Sequence, residues 1–227
     1  MNASIIMDAF DEREPIVRDE IQDVLKIENI NTLNQMVSYL VSFGILKRYE
    51  NGVYYVPSST KKFSHLKPSL KDVIDKKYLQ KNQGIRTGAY LLYKYKFTSQ
   101  VSSFYEILSN NVSIHTRSKH LYDGKVVVSY PPFEINIENT HVLEFLELIK
   151  YLVYSDYNIE KSKSQLLDIL DSLGLKKEEI IHYSEHYKGK RYAGFRRTVH
   201  NILVNLCVWC SNAYKWLKLN SYIRFFG

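Results

Sequence analysis

The chain has 227 residues, 45% of them apolar and 24% charged, and its 31 Lys and Arg outnumber 24 Asp and Glu for a formal net charge of +7. That length holds one large domain or two small ones around a hydrophobic core, and the composition excludes disorder or a collagen-like repeat. Two cysteines exclude a disulfide scaffold or an all-Cys zinc site, no apolar run is long enough to span a bilayer, and the first residues lack the basic start of a signal peptide. A cytoplasmic protein with no membrane partner is therefore expected.

Residues 4–10 read as a short helix. Pro15 precedes a second helical pattern with Val17, Ile21, Val24 and Leu25 on one face, and Asp19 and Glu20 suit the positive end of its dipole. Asn29 or Asn31 can cap a third helix, whose apolar face is Leu33, Met36, Val37, Leu40 and Val41 and whose stop is Gly44. Two β-prone stretches, residues 45–49 and 53–56, flank Glu50, Asn51 and Gly52, and Asn-Gly between such runs predicts a hairpin. Helix, helix, helix, hairpin is the order of a winged helix-turn-helix, in which the third helix enters a major groove and the hairpin is the wing.

A turn at Ser58, Ser59 and Thr60 closes this region. Beyond it Leu70, Val73, Ile74 and Tyr78 stripe a fourth helix that Gly84 ends, and residues 88–95 form a Tyr-rich helical stretch. Strands are predicted at residues 103–108, 112–116 and 125–130, with Asp123-Gly124 as the turn between the last two and Pro131-Pro132 as the stop. Helical spacing then returns at residues 142–153, at 166–173 up to Gly174, at 177–186 and at 198–217. The predicted fold class is α+β and mainly helical: a winged helix-turn-helix over residues 1–60, and a larger α+β domain over residues 61–227 that ends in a helical bundle.

The charge divides at the same turn. Residues 1–60 carry a net −4 and residues 61–227 a net +11. Lys61, Lys62, Lys67 and Lys71 follow the turn closely, and residues 188–197 hold the densest basic run. On the third helix Asn31, Thr32, Asn34, Gln35 and Ser38 occupy the exposed positions, and Asn and Gln suit bidentate contacts to adenine. Lys47, Arg48 and Asn51 on the hairpin, with Lys61, Lys62, Lys188, Lys190, Arg191, Arg196 and Arg197, are the candidates for phosphate. The third helix itself carries no cation, and phosphate neutralisation supplies most non-specific affinity. Two readings stand at this point: a reader of double-stranded DNA that draws on the basic second part, or a winged helix used for protein contact.

Other motifs carry less. Cys207 and Cys210 lie inside an apolar helical run rather than at a helix start, and read as packed core thiols. His182 and His186 are spaced to share a helix face, but the intervening Tyr-Ser-Glu lacks the zinc-protease pattern, and they read as exposed histidines. Tyr90, Tyr93 and Tyr95 interleave with Lys94 and Lys96, a pattern that serves a core, an interface or single-stranded nucleic acid. No phosphate-binding loop or nucleophile elbow is present. No enzyme, metal or cofactor is expected.

Three phrases resemble the AbiEi family of abortive-infection antitoxins and related bacterial winged-helix proteins. They are residues 40–56 with the wing strand Gly-Val-Tyr-Tyr-Val; residues 88–101, Gly-Ala-Tyr-Leu-Leu-Tyr-Lys-Tyr-Lys-Phe-Thr-Ser-Gln-Val; and residues 106–110 followed by Arg117 and Asp123-Gly124. Ser99 stands where the family's phrase has Thr, and the resemblance stops near Leu203. It implies a type IV toxin–antitoxin system used in phage defence. The winged helix would repress its own promoter at inverted repeats, and the second domain would neutralise a nucleotidyltransferase-like toxin. It also implies that cations of the second domain assist DNA binding.

Overall fold

A computed structural model describes residues 2–63, 65–115, 118–154 and 159–203. The chain is α+β and divides into two compact units, Met1–Lys81 and Asn82–Gly227, each with its own sheet.

The first unit opens with α1 (Asn2–Ala9), β1 (Ile16–Val17), α2 (Arg18–Leu25) and α3 (Ile30–Ser42), followed by β2 (Lys47–Glu50) and β3 (Val53–Tyr55). Asn29 is the α3 cap: its Oδ1 accepts the backbone N–H of Asn31 at 2.9 Å and of Thr32 at 3.2 Å, satisfying two donors that the helix start leaves orphaned. At the other end Gly44 takes φ +70°, and the N–H groups of Ile45 and Leu46 turn back to the Leu40 carbonyl at 3.0 and 3.1 Å. The hairpin forms where predicted, but its register shifts between Arg48 and Glu50, and Gly52 rather than Asn51 takes the positive φ, so it carries a bulge instead of a two-residue primed turn. Strand β1 is a further element: two residues that pair antiparallel with β3 and complete a sheet of order β1-β3-β2. Ile6, Ile16, Ile21, Leu33, Leu40 and Leu46 are fully sequestered beneath it.

Residues 61–81 belong to this same unit, so the sequence division at Thr60 falls inside it. Glu12 accepts the Ser58 hydroxyl and the Ser59 N–H, each at 2.8 Å. Helix α4 (Leu70–Ile74) starts at Ser69, whose Oγ accepts the Asp72 N–H at 3.1 Å, and widens into a π turn over Asp75–Leu79. The stripe of Val73, Ile74 and Tyr78 is buried as expected. The helical segment stops at Lys81 and Asn82, which adopt left-handed backbone, and Gly84 opens a strand instead of ending the helix. Lys76 reaches Glu14 at 2.9 Å and Glu20 at 2.7 Å, and Lys77 reaches Glu50 at 2.6 Å. Burial opposes the charge on Lys76, but its bonds to Glu20 and Glu14 outweigh it and hold its pKa above the ordinary lysine value. With residues 61–81 included, the first unit carries twelve basic and eleven acidic residues and the second nineteen and thirteen. The contrast of −4 with +11 becomes +1 with +6.

The second unit is built on a mixed sheet of order β4-β5-β7-β6, from β4 (Gly84–Thr87), β5 (Tyr105–Ser109), β6 (Lys119–Leu121) and β7 (Val126–Ser129). Helix α5 (Ala89–Lys94) follows β4 across Gly88, where a Cβ would lie 1.7 Å from Glu106 Oε2 and φ is +66°, so glycine is required twice over. Strands β5 and β7 match the sequence reading, and Asp123-Gly124 lies in the β6–β7 turn. The predicted strand at residues 112–116 does not form over its described part. Asn110 ends β5 by exchanging side-chain hydrogen bonds with the Ile135 backbone, at 2.8 Å to O and 3.0 Å from N. The chain then leaves the sheet, with Ile114 exposed, and returns so that β7 runs parallel to β5.

Helix α6 (Thr140–Tyr154) crosses this unit as its central element, with every residue from 142 to 149 buried. Around it pack α7 (Ile159–Ser172), α8 (Lys177–Ser184) and a helical stretch over residues 193–203. Phe145, Leu146 and Ile149 meet Leu166, Ile180, Phe195 and Val199 in one cluster. The predicted helix at 198–217 is helical as far as 203; its remainder, with Cys207 and Cys210, lies outside the described residues. Among the described residues no helix is long and apolar enough to cross a membrane.

Candidate nucleic-acid interface

Helix α3 separates its residues cleanly by face. Leu33, Val37 and Leu40 are buried, while Asn31, Thr32, Asn34, Gln35 and Ser38 are exposed. The cap is Asn29, so the Asn31 side chain is not spent on starting the helix. The exposed face carries amides and hydroxyls without charge, and ends in an aromatic pair, Tyr39 and Phe43, whose rings lie 4.3 Å apart and are 50% and 66% exposed. That pair was not among the sequence candidates, although its i, i+4 spacing opposite the apolar stripe marks it.

Lys47 and Arg48 stand exposed on β2, and Asn51 is exposed at the hairpin tip. The Arg48 guanidinium lies 5.7 Å from the centre of the Tyr54 ring, which orients it along the strand. Lys62 is exposed, with its ammonium 5.7 Å from the Phe63 ring; the Lys61 side chain lies outside the described residues. Asn31 through Ser38, Lys47, Arg48, Asn51 and Lys62 thus all belong to the first unit.

The other cations belong to the second unit. Lys188, Lys190 and Arg197 are exposed, and the Arg191 side chain is outside the described residues. Arg196 is half-buried and donates through Nη1 to the Tyr187 backbone carbonyl. It fastens this segment to itself and is the one described member of the run that turns inward.

Sequence reasoning missed a second polar arrangement, held inside α6. Glu147 is 1% exposed, and its carboxylate accepts from Thr87 Oγ1 at 2.9 Å, from the Tyr187 hydroxyl at 2.8 Å and from Lys150. Glu144, one turn earlier, accepts Lys94 Nζ at 2.7 Å and the Tyr95 hydroxyl at 3.1 Å. Burial and then Glu147 push the Tyr187 hydroxyl well above the ordinary tyrosine pKa, and burial and then Glu144 do the same to Tyr95. The signal was available: two glutamates at i, i+3 inside an otherwise apolar octet, Val-Leu-Glu-Phe-Leu-Glu-Leu-Ile, have to find buried donors if the whole turn is core. Tyr95 and Lys94 of the aromatic–basic cluster accordingly serve a buried carboxylate, Lys94 from an exposed position.

His182 and His186 are exposed, as read, and pack edge-on at 5.9 Å, with His186 also against Phe133. Comparison of the sequence with protein-family models, and of the chain with curated proteins and solved structures, finds no significant match.

Proposed function

We propose that the first unit is a winged helix-turn-helix that binds double-stranded DNA, and that the chain is an antitoxin that represses its own promoter. The observation that carries this reading is the order α1-β1-α2-α3-β2-β3 with the sheet order β1-β3-β2. A short strand before α2 ties the hairpin to the helical core, leaving α3 with a continuous uncharged polar face outward. On this reading α3 enters the major groove. Asn34 and Gln35 have the paired donor and acceptor that match adenine N7 and N6, each good pair being worth about 1–3 kcal/mol of discrimination. Ser38 and Thr32 reach neighbouring edges, and Lys47, Arg48 and Asn51 hold backbone phosphate beside the wing.

The residue pattern shared with AbiEi antitoxins supports a toxin-neutralising role for the second unit, against a nucleotidyltransferase-like partner encoded beside it. Lys62 in the first unit and Lys188, Lys190, Arg191 and Arg197 in the second supply the charge that α3 lacks. Titrating the full chain against the duplex upstream of its own gene, at several salt concentrations, tests the DNA half. Binding should be tighter than to a scrambled duplex, and Lys47→Ala with Arg48→Ala should lower the salt slope by about 2. Binding indifferent to both salt and these substitutions overturns the phosphate contacts. Co-purification with the neighbouring gene product tests the antitoxin half.

A second reading, a protein–protein adaptor, rests on the Tyr39–Phe43 pair. Exposed aromatic residues anchor protein interfaces, and α3 carries no cation. Tyr39→Ala with Phe43→Ala separates the two: it abolishes partner binding on the adaptor reading and leaves discrimination between duplexes intact on the DNA reading.

A further inference from the structure

The second unit contains a cavity of about 580 Å³ that the DNA role touches only through Lys188. That volume falls within the range of small-molecule sites. Its polar lining includes Glu147, Lys150, His186 and Lys188, and its apolar lining is dominated by Tyr130, Pro131, Pro132, Tyr187 and Tyr192.

The electrostatics of the lining are one-sided. Glu147 is its carboxylate, and it is already occupied: Thr87, Tyr187 and Lys150 all donate to it. One buried anion against one ammonium leaves no negative charge to receive a cationic ligand. Lys150 lines the cavity with its side chain 24% exposed; its ammonium bonds Glu147 and lies 5.6 Å from the centre of the Tyr187 ring, with donor capacity left over. Lys188 has no ion-pair partner among the described residues. The surplus is therefore positive, and it borders aromatic and proline surface that matches a flat ring.

We propose that this cavity binds a free nucleoside monophosphate, its phosphate on Lys188 and Lys150 and its base against the tyrosine and proline wall. A phosphate monoester satisfies two ammonium groups with its three terminal oxygens. Tyr187 is buried beneath the wall, held by Glu147 and by the Phe195 ring at 4.9 Å, and backs the partly exposed Tyr130, Pro132 and Tyr192 that a base would meet. The site is a partly open pocket distinct from the exposed face of α3; it shares Lys188 with the phosphate contacts proposed for DNA, so titration without DNA reads it alone.

Calorimetric titration of the full chain with adenosine, guanosine and uridine monophosphates is the test. At least one should bind saturably in the micromolar to low-millimolar range. Ribose 5-phosphate and inorganic phosphate should bind about tenfold more weakly or not at all, having no ring to stack. Lys188→Ala should weaken binding about tenfold or more, and Lys188→Arg should retain it. Lys188 is exposed and has no ion-pair partner among the described residues, so both variants should keep the wild-type circular dichroism and melting temperature. No saturable binding by any of the three overturns the proposal, as does equal binding of ribose 5-phosphate or equal affinity of Lys188→Ala. A 5′-phosphorylated single strand that binds where free mononucleotides do not would make the occupant a nucleic-acid end, and also overturns it.

Discussion

The two units treat their acidic residues in opposite ways. In the first, Glu12, Glu14, Glu20 and Glu50 stay near the surface and receive serines and lysines from residues 58–77. In the second, Glu144 and Glu147 sit inside the central helix and draw their donors from strand, loop and helix alike. The first arrangement closes a domain and leaves the outer face of α3 free of charge. The second fixes a core and, at its edge, builds the wall of a cavity. A charge count alone cannot distinguish a carboxylate that neutralises a surface from one that organises an interior.

Glu147→Ala should break that contrast most severely. It strands Lys150 and leaves the Tyr187 and Thr87 hydroxyls without their acceptor. Loss of one partner from a buried pair typically costs about 3–5 kcal/mol, measured here by urea denaturation of the full chain. Lys76→Ala, the counterpart in the first unit, should cost about 2 kcal/mol, because Lys76 serves two glutamates that then face each other. A larger loss for Lys76 than for Glu147 would reverse the comparison. Asn29→Ala should cost about 1 kcal/mol by uncapping α3, visible as faster amide exchange at Asn31 and Thr32.

The pH dependence has an alkaline arm and an acid arm. Tyr187 and Tyr95 have folded pKa values above the ordinary one, so folding favours their neutral forms. Their contribution is complete below the unfolded value of about 10 and is lost as pH rises beyond it. Glu12 runs the other way: Ser59, then Ser58, hold it down to about 2. What it contributes is present above the unfolded value of about 4 and is lost as pH falls toward 2. Burial raises Tyr78, Tyr49 and Tyr55 of the first unit as well, so tyrosine absorbance titration should show both units losing stability in alkali, while the Ser58–Glu12 turn loosens in acid.

Much of the first unit was legible because its signals are local. An asparagine cap, an apolar stripe, a glycine stop and an Asn-Gly turn each act within a few residues, and α2, α3 and the hairpin stand where they predict. Strand β1 was not legible, since two residues carry no period and its existence depends on β3. The domain limit was not legible either, because Ser58, Ser59 and Thr60 read as a boundary when they are a turn pinned by Glu12. In the second unit α5, α6 and α8 stand close to where their spacing predicts, α7 starts seven residues earlier than its stripe, and the last predicted helix starts at 193 and is described only as far as 203. Strand β4 was hidden in four residues that start at Gly84 and stop before Gly88. Residues 112–115 of the strand predicted at 112–116 leave the sheet, since Asn110 bonds to Ile135, a partner no local pattern reveals. The α3 face was found by its period alone, whereas Glu147 needed the knowledge that α6 is buried on all sides.

The claim that α3 reads DNA is tested most directly by the ratio of affinities for the chain's own upstream duplex and a scrambled one. In Asn34→Ala/Gln35→Ala/Ser38→Ala that ratio should fall toward one, with affinity for the scrambled duplex held, since these side chains carry sequence and no charge. A wild-type ratio of one, or a ratio that survives the triple substitution, would contradict the account.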